Sequence, residues 1–320
     1  MEQVMQNGKS SVWQLARGWI IGIFASASFG LIPFFTLPVM EIGVSKGTII
    51  FYRFLFSALI IGLLSFFRKK NLKVPKKAIP SVFALAMMYV GSAMFLFWGF
   101  YYMPSGVATV IHFLYPVFLV LILAIFYRQR ISPISLLAII MAILGVSFIM
   151  DVWGEGSGGI ETFGLIIVAL SALAYALYIV IVQHSPTKSV SGSVLTFWVM
   201  ILAAGMVLII ENLTQGGLAH IPQLDGWLNI AGLALIPTVL SNLALVVAIR
   251  SIGSTATSVL GAMEPLTAVA VGIIVFDEPI YTLTFSGILF ILCAVTLIIT
   301  SGVIERSSFY GRIAGLVRKK

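Results

Sequence analysis

From residue 18 to residue 303 the chain is a succession of apolar runs, each close to the length of a membrane crossing. A helix needs about 20 residues to span a hydrocarbon core about 30 Å thick. Runs of that length fall near 18–40, 47–67, 79–101, 104–126, 132–150, 162–183, 190–210, 227–249, 254–276 and 281–303. Only 9% of the 320 residues are charged, against 60% hydrophobic, whereas a soluble domain carries about 25% charged residues. That is too little charge to cover a soluble surface. The expected fold is therefore an all-α membrane protein with ten transmembrane helices. The tightest joins are Met103-Pro104 and Ile252-Gly253, and each can pass for the middle of one long span. The "ASAS" at residues 25–28 imitates a signal-peptide cleavage site. The apolar run before it is short, however, and apolar sequence continues to Met40, so an uncleaved first helix is expected.

Charge gives the direction. If the N-terminus is placed inside, every Lys and Arg except Lys46 and Arg53 falls in an inside segment or tail, including the run "RKKNLKVPKK" at residues 68–77. The outside segments hold Glu41, Asp151, Glu155, Glu161, Glu211, Asp225, Asp277 and Glu278. Basic residues favour the cytoplasmic side, so both termini are expected in the cytoplasm of a multi-pass cell (inner) membrane protein. The net charge of +8 then belongs to membrane orientation, and no nucleic-acid partner is expected.

The second half resembles the first. Shifted by 149 positions, "SGVATVIHFLYPVFLVLILAIFYRQRIS" from Ser105 lies over "STATSVLGAMEPLTAVAVGIIVFDEPIY" from Ser254, and Pro116 meets Pro265. Near an offset of 146, Gly18, Gly22, Ser26 and Gly30 meet Gly164, Val168, Ala172 and Ala176. Two repeats are expected, residues 1–150 with helices 1–5 and residues 151–320 with helices 6–10 and a basic cytoplasmic tail. Five is odd, so the second repeat must be inverted relative to the first. Such inverted repeats are the frame of many secondary transporters, which place their site near the midplane. The stripe Gly18, Gly22, Ser26 and Gly30 is expected to pack closely against another helix.

Chemistry at half depth concentrates in two places. "GAMEP" at residues 261–265 sets a carboxylate beside a proline inside the ninth run. Glu264 lies roughly 15 Å into it, where an ionised group costs about 3 kcal/mol on insertion scales. Such a group should face water or a partner. Pro265 removes a backbone donor and Gly261 leaves space, which together make a bendable midpoint. The matching place in the fourth run is "HFLYP", with His112 and Tyr115 on one face and Pro116 as the bend. Trp98, Asn242, Tyr175 and Tyr178 complete the candidate substrate-binding set. Arg53, in "FYRFLF", is the candidate charge partner.

Several classes are excluded or disfavoured. No P-loop is present, so ATP is not the direct energy source. The glycines 154, 156 and 159 have GxGxxG spacing but join two membrane runs, so they read as a linker. The single cysteine, Cys293, allows no intramolecular disulfide. His112, His184 and His220 are far apart in sequence, and no metal or other cofactor is expected. An intramembrane enzyme is disfavoured, because no HExxH pair occurs and the aspartates lie at loops. A channel is the stronger competitor, although an inverted pair of repeats with midplane prolines suits a carrier better.

Arg53 in "FYRFLF", "FLYPVF" in the fourth run and "MEPLTAVAVGIIVFDEP" in the ninth resemble the EamA branch of the drug/metabolite transporter superfamily. The resemblance covers essentially the whole chain. The exit of the fourth span in that branch usually carries Glu, and here Gln129 stands there between two arginines. The resemblance implies a carrier working by alternating access, often an exporter of amino acids or other metabolites. It also implies a central cavity surrounded by helices 1, 3, 4, 6, 8 and 9. The expected partners are a small polar or amphipathic molecule and the bilayer, and a monomer suffices for such a site.

Overall fold

The computed structural model describes residues 2–69, 71–150 and 161–304, and among these there is no strand. Thirteen α-helices follow one another: α1 (Glu2–Phe29), α2 (Ile32–Glu41), α3 (Lys46–Phe67), α4 (Ile79–Gly99), α5 (Ser105–His112), α6 (Tyr115–Tyr127), α7 (Pro133–Ile149), α8 (Thr162–His184), α9 (Gly192–Gln215), α10 (Leu224–Ala234), α11 (Ser241–Leu260), α12 (Met263–Phe276) and α13 (Thr282–Ile304). A π-helical turn, Leu235–Leu240, joins α10 to α11. The glycine-rich segment with glycines 154, 156 and 159, Asp151, Glu155 and the basic tail beyond Ile304 lie outside the described residues.

Among the described residues eight stretches are long and apolar enough to cross a membrane, and two further apolar helices are shorter. The eight include α1 with α2, α5 with α6, and α10 with α11, and in each case an internal break leaves the span intact. The protein is thus an all-α, multi-pass membrane protein. The two runs that fall short are α7, with 17 residues, and α12, with 14. The ninth run was expected at 254–276, but its first residues belong to the tail of α11. The expected boundary at Ile252-Gly253 is therefore helical. Nevertheless α11 cannot be straight. A Cβ on Gly22 would lie 2.6 Å from Leu260 and 3.4 Å from Ala248. In a straight helix those two residues would be about 18 Å apart along the axis. The chain folds back between them, while α4 and α5 are separated by an open turn at Phe100–Pro104.

The main helix pairs run antiparallel. In α7 and α13, Ser135 bonds Ser301 and Gly145 abuts Gly287. In α3 and α9, Gly47 meets Glu211 and Gly62 meets Phe197. The N-terminus of α5 meets the C-terminal end of α12. In α4 and α8, Gly99 meets Val168, and Ser171 Oγ donates to the Ser92 carbonyl. In α1 and α11, Gly18 meets Ser251 and Ile252. The expected small-residue stripe is a packing surface: Gly18 and Gly22 press on α11, and Gly30 presses on Glu264, Thr267 and Ala268 of α12. A Cβ at Gly30 would collide with the Glu264 backbone carbonyl, which cannot move aside as a side chain can. Gly30→Val should therefore cost about 3 kcal/mol or more of stability, read as a lower unfolding temperature in detergent, whereas the exposed Gly192→Ala should not.

These contacts give the bundle two chemically distinct ends. One carries Glu41, Glu161, Glu211, Asp225, Asp277 and Glu278, with Lys46 lying over the rings of Trp98 and Tyr101. The other carries Arg17, Arg68, Lys69, Lys73, Lys76, Lys77, Arg128, Arg130, Lys188 and Arg250. Two acids expected as ordinary loop charges are instead built into helix ends. Glu211 is 3% exposed and accepts from Ser45 Oγ and Thr48 Oγ1 at the start of α3. Glu278 accepts from the backbone amides of Ser105 (2.7 Å) and Gly106 (3.2 Å), the first residues of α5. A carboxylate there satisfies amides that have no partner within the helix and complements the positive end of its dipole. Glu278→Ala should lower stability by about 2 kcal/mol and Glu278→Gln by about half of that, with thermal unfolding of the purified protein as the check.

Candidate functional site

Two helix interruptions meet in the interior. The first, Phe113–Leu114, separates α5 from α6, and Pro116 sits in the first turn of α6. The second, Gly261–Ala262, separates α11 from α12, with Glu264 and Pro265 in the first turn of α12. Proline is tolerated in the opening turn of a helix, where its missing N–H costs no ladder bond. The sequence thus marks the restart of each helix, where a bend within one continuous helix was expected.

Between these breaks lies a cavity of about 390 Å³. Its wall includes His112, Tyr115, Pro116, Tyr175, Asn242, Gly261, Glu264 and Arg53. Eight of the residues singled out from sequence are thereby brought together, from six helices and the α11–α12 break. Three are not on the wall. Pro265 is buried behind Glu264. Tyr178 stacks parallel to Tyr175 at 5.9 Å and forms a second layer. Trp98 lies at the acidic end, edge-on to Phe163 at 5.9 Å and under Lys46.

Hydrogen bonds fix several of the wall groups. Ser171 Oγ spends its proton on the Ser92 carbonyl at 2.6 Å. It must therefore accept from His112 Nδ1, 2.9 Å away, which places the ring proton on Nδ1 and leaves Nε2 an acceptor. The His112 ring also lies 5.5 Å from Tyr175, which meets Tyr115 edge-on at 4.8 Å. Asn242, on the cavity wall, donates one Nδ2 hydrogen to the Thr238 carbonyl one turn back, which leaves its Oδ1 and second N–H for other partners. Arg53, 5% exposed, donates from Nε to Thr238 Oγ1 at 3.1 Å.

Glu264 and Arg53 both line the cavity, and each feels the other's charge. They form no ion pair, and among the described residues no donor bonds the Glu264 carboxylate. A chamber with one carboxylate, one guanidinium, an imidazole, an amide, three tyrosines and several hydroxyls among apolar side chains can hold a small amphipathic molecule carrying both signs of charge. Among the described residues no three His, Cys, Asp or Glu side chains cluster to hold a metal ion.

Sequence reasoning missed Tyr89, Ser92, Ser171 and Thr238. Tyr89 lines the cavity and rests on Tyr178 at 5.6 Å. Only Thr238 carried a usable signal, as a hydroxyl directly after Pro237 in an apolar run.

Residues 16–151 and 162–300 both match the EamA-like transporter family. The chain belongs to the EamA-like transporter family. This EamA-like chain is 36% identical over 107 residues to a protein of Archaeoglobus fulgidus described as an uncharacterized transporter, covering 33% of this chain and 37% of that one. It is 24% identical over 273 residues to uncharacterized transporter YxxF of Bacillus subtilis, covering 83% of this chain and 84% of that protein. A solved structure titled only "Crystal structure of protein" superposes with a TM-score of 0.64 at 15% identity, over 91% of this chain and 99% of the other. That likeness concerns the fold alone. The family is one of transporters, so transport rather than catalysis is the general function of this EamA-like protein.

Proposed function

We propose that this EamA-like protein is a secondary transporter that carries a small zwitterionic, amino-acid-like metabolite by alternating access. The observation that carries the reading is the pair of opposite charges, Glu264 and Arg53, left unpaired on one interior cavity at two helix interruptions. A buried charge without a partner is costly, and a ligand bearing the complementary charges would relieve both. The volume of about 390 Å³ falls within the usual range for small-molecule sites, about 300–1,000 Å³.

The frame in this reading is ten spans in two inverted halves, residues 1–150 and 151–320. Local geometry repeats at the sequence offset of 149. Arg128 and Asp277, which end α6 and α12, both have positive φ, 54° and 49°. Gln129 N bonds Leu123 O, as Glu278 N bonds Gly272 O. The equivalent helices α3 and α9, and α7 and α13, pack antiparallel, as inversion requires. The wall reaches Leu119, Ile249, Thr257 and Ile299 toward the basic end but not Trp98 or Tyr101 at the acidic end. We read this as a state closed at the acidic end. With the basic end in the cytoplasm, both termini are cytoplasmic and the closed face is the outer one.

The test is uptake by proteoliposomes of L-leucine, isopentylamine, a nucleobase, a sugar and a quaternary ammonium ion, with and without a pH gradient. Saturable movement of the zwitterion in preference to the amine supports the proposal. Flux that rises without saturation favours a channel, and no preference for the zwitterion overturns the substrate class.

A further inference from the structure

Arg53 owes its setting to a defect in the helix opposite. Pro237 has no N–H to give the Leu233 carbonyl, its partner in a regular α-helix. The chain takes up one extra residue there, as the π-helical turn Leu235–Leu240. Such turns gather at functional sites. The Thr238 hydroxyl donates to the Leu233 carbonyl at 3.0 Å. Its proton is then spent, so toward Arg53 it can only accept, and it takes the Nε–H at 3.1 Å. Ser57, one turn along α3 from Arg53, donates to the Ala234 carbonyl and holds the same two helices together. Ser241 closes the turn with its own five-residue bond, from Oγ to the Ile236 carbonyl.

Tying Nε fixes the plane of the guanidinium. Its Nη1 and Nη2 groups have no acceptor among the described residues, and Arg53 lines the cavity while being 5% exposed. We propose that Thr238 is a positioning residue. Held on the π-turn, it aims the two-pronged face of Arg53 into the cavity as the seat for a carboxylate of the cargo. The geometry suits bidentate recognition of a planar anion. It rests on the transport reading above for its cargo, but not for the anion seat itself.

The test compares wild type with Thr238→Val, which keeps the shape and loses the hydroxyl, and Thr238→Ser, which keeps the hydroxyl. In proteoliposomes, Thr238→Val should raise the KM for L-leucine by about tenfold or more, with Vmax near wild type and inhibition by isopentylamine, which lacks the carboxylate, unchanged. Thr238→Ser should restore the wild-type KM. Equal weakening of L-leucine and isopentylamine by Thr238→Val, or no change in either, overturns the inference. A second arm needs no cargo: acetate should protect Arg53 from phenylglyoxal in wild type and Thr238→Ser, read by mass spectrometry. Thr238→Val should need about tenfold more acetate. Equal protection in all three overturns the positioning role of Thr238, and no protection in wild type overturns the anion seat. Protection without any L-leucine transport supports the seat and counts against the proposed cargo alone.

Discussion

Glu264→Gln should bring uptake driven by a pH gradient in proteoliposomes down to background if the carrier is proton-coupled, and should leave no pH dependence to lose if it is a uniporter. The amide has the shape of the carboxylate and can still bond a ligand, but it carries no charge and exchanges no proton. The carboxylate sits in the first turn of α12 and lines the cavity. Among the described residues the other acids, Glu2 apart, lie at the bundle's acidic end, so no second carboxylate is at hand to substitute. Removing its charge relieves a burial cost of about 3 kcal/mol but leaves the Arg53 guanidinium on the same cavity without its opposite charge, so the two effects offset and thermal stability should change little, Arg53 keeping its bond to Thr238. Lost transport with unimpaired folding is the signature of a functional carboxylate. Transport that keeps its wild-type response to a pH gradient in Glu264→Gln would exclude the residue from coupling.

The second large effect is at Arg53. Arg53→Leu should eliminate uptake and also reduce stability, because it leaves Thr238 Oγ1 without its donor and Glu264 without its nearby opposite charge. Removing one of two buried opposite charges costs about 3–5 kcal/mol when they are directly paired. Here they share the cavity wall without a direct ion pair, so the lower end of that range is expected. The double variant Arg53→Leu/Glu264→Gln should recover part of the loss, since neither charge is then stranded. Arg53→Lys should fold and still transport poorly, because an ammonium cannot both bond Thr238 and present a planar fork. Unfolding midpoints of the four proteins, with uptake measured in parallel, separate the two effects.

Much of the fold could be read from the sequence because bilayer thickness imposes one length on every span. The pocket was partly legible for a related reason. A carboxylate at half depth is too costly to be incidental, and Pro116 and Pro265 mark where the two broken helices restart. His112, Tyr115, Tyr175 and Asn242 therefore fell on the same wall as Glu264. Trp98 did not, because an aromatic near a span's end carries no mark distinguishing a cavity wall from a belt, and here it meets Phe163 and Lys46. The π-turn was hidden, since a proline in an apolar run is compatible with a kink, a break or an added residue. The fold-back within α11 was similarly obscured. Residues 250–253 contain no proline, unlike the matching turn with Pro104, so nothing local forbids helical bonding through the reversal. Glu211 and Glu278 looked like surface charges because their partners lie on helices far away in sequence.

The Glu278 carboxylate on the first amides of α5 has a mechanical consequence. Bonds of this kind fail within a fraction of an ångström of separation, so the clasp is either made or broken and does not stretch. In the proposed transport cycle, α5 and α12 would move as one strut while it is made, and the acidic face would part only by the neighbouring helices swinging around that strut. Gln129, at the corresponding corner of the other half, bears no charge with which to form an equally strong clasp. Under the alternating access proposed above, the two faces of the bundle would therefore be fastened unequally, with the acidic face favoured shut.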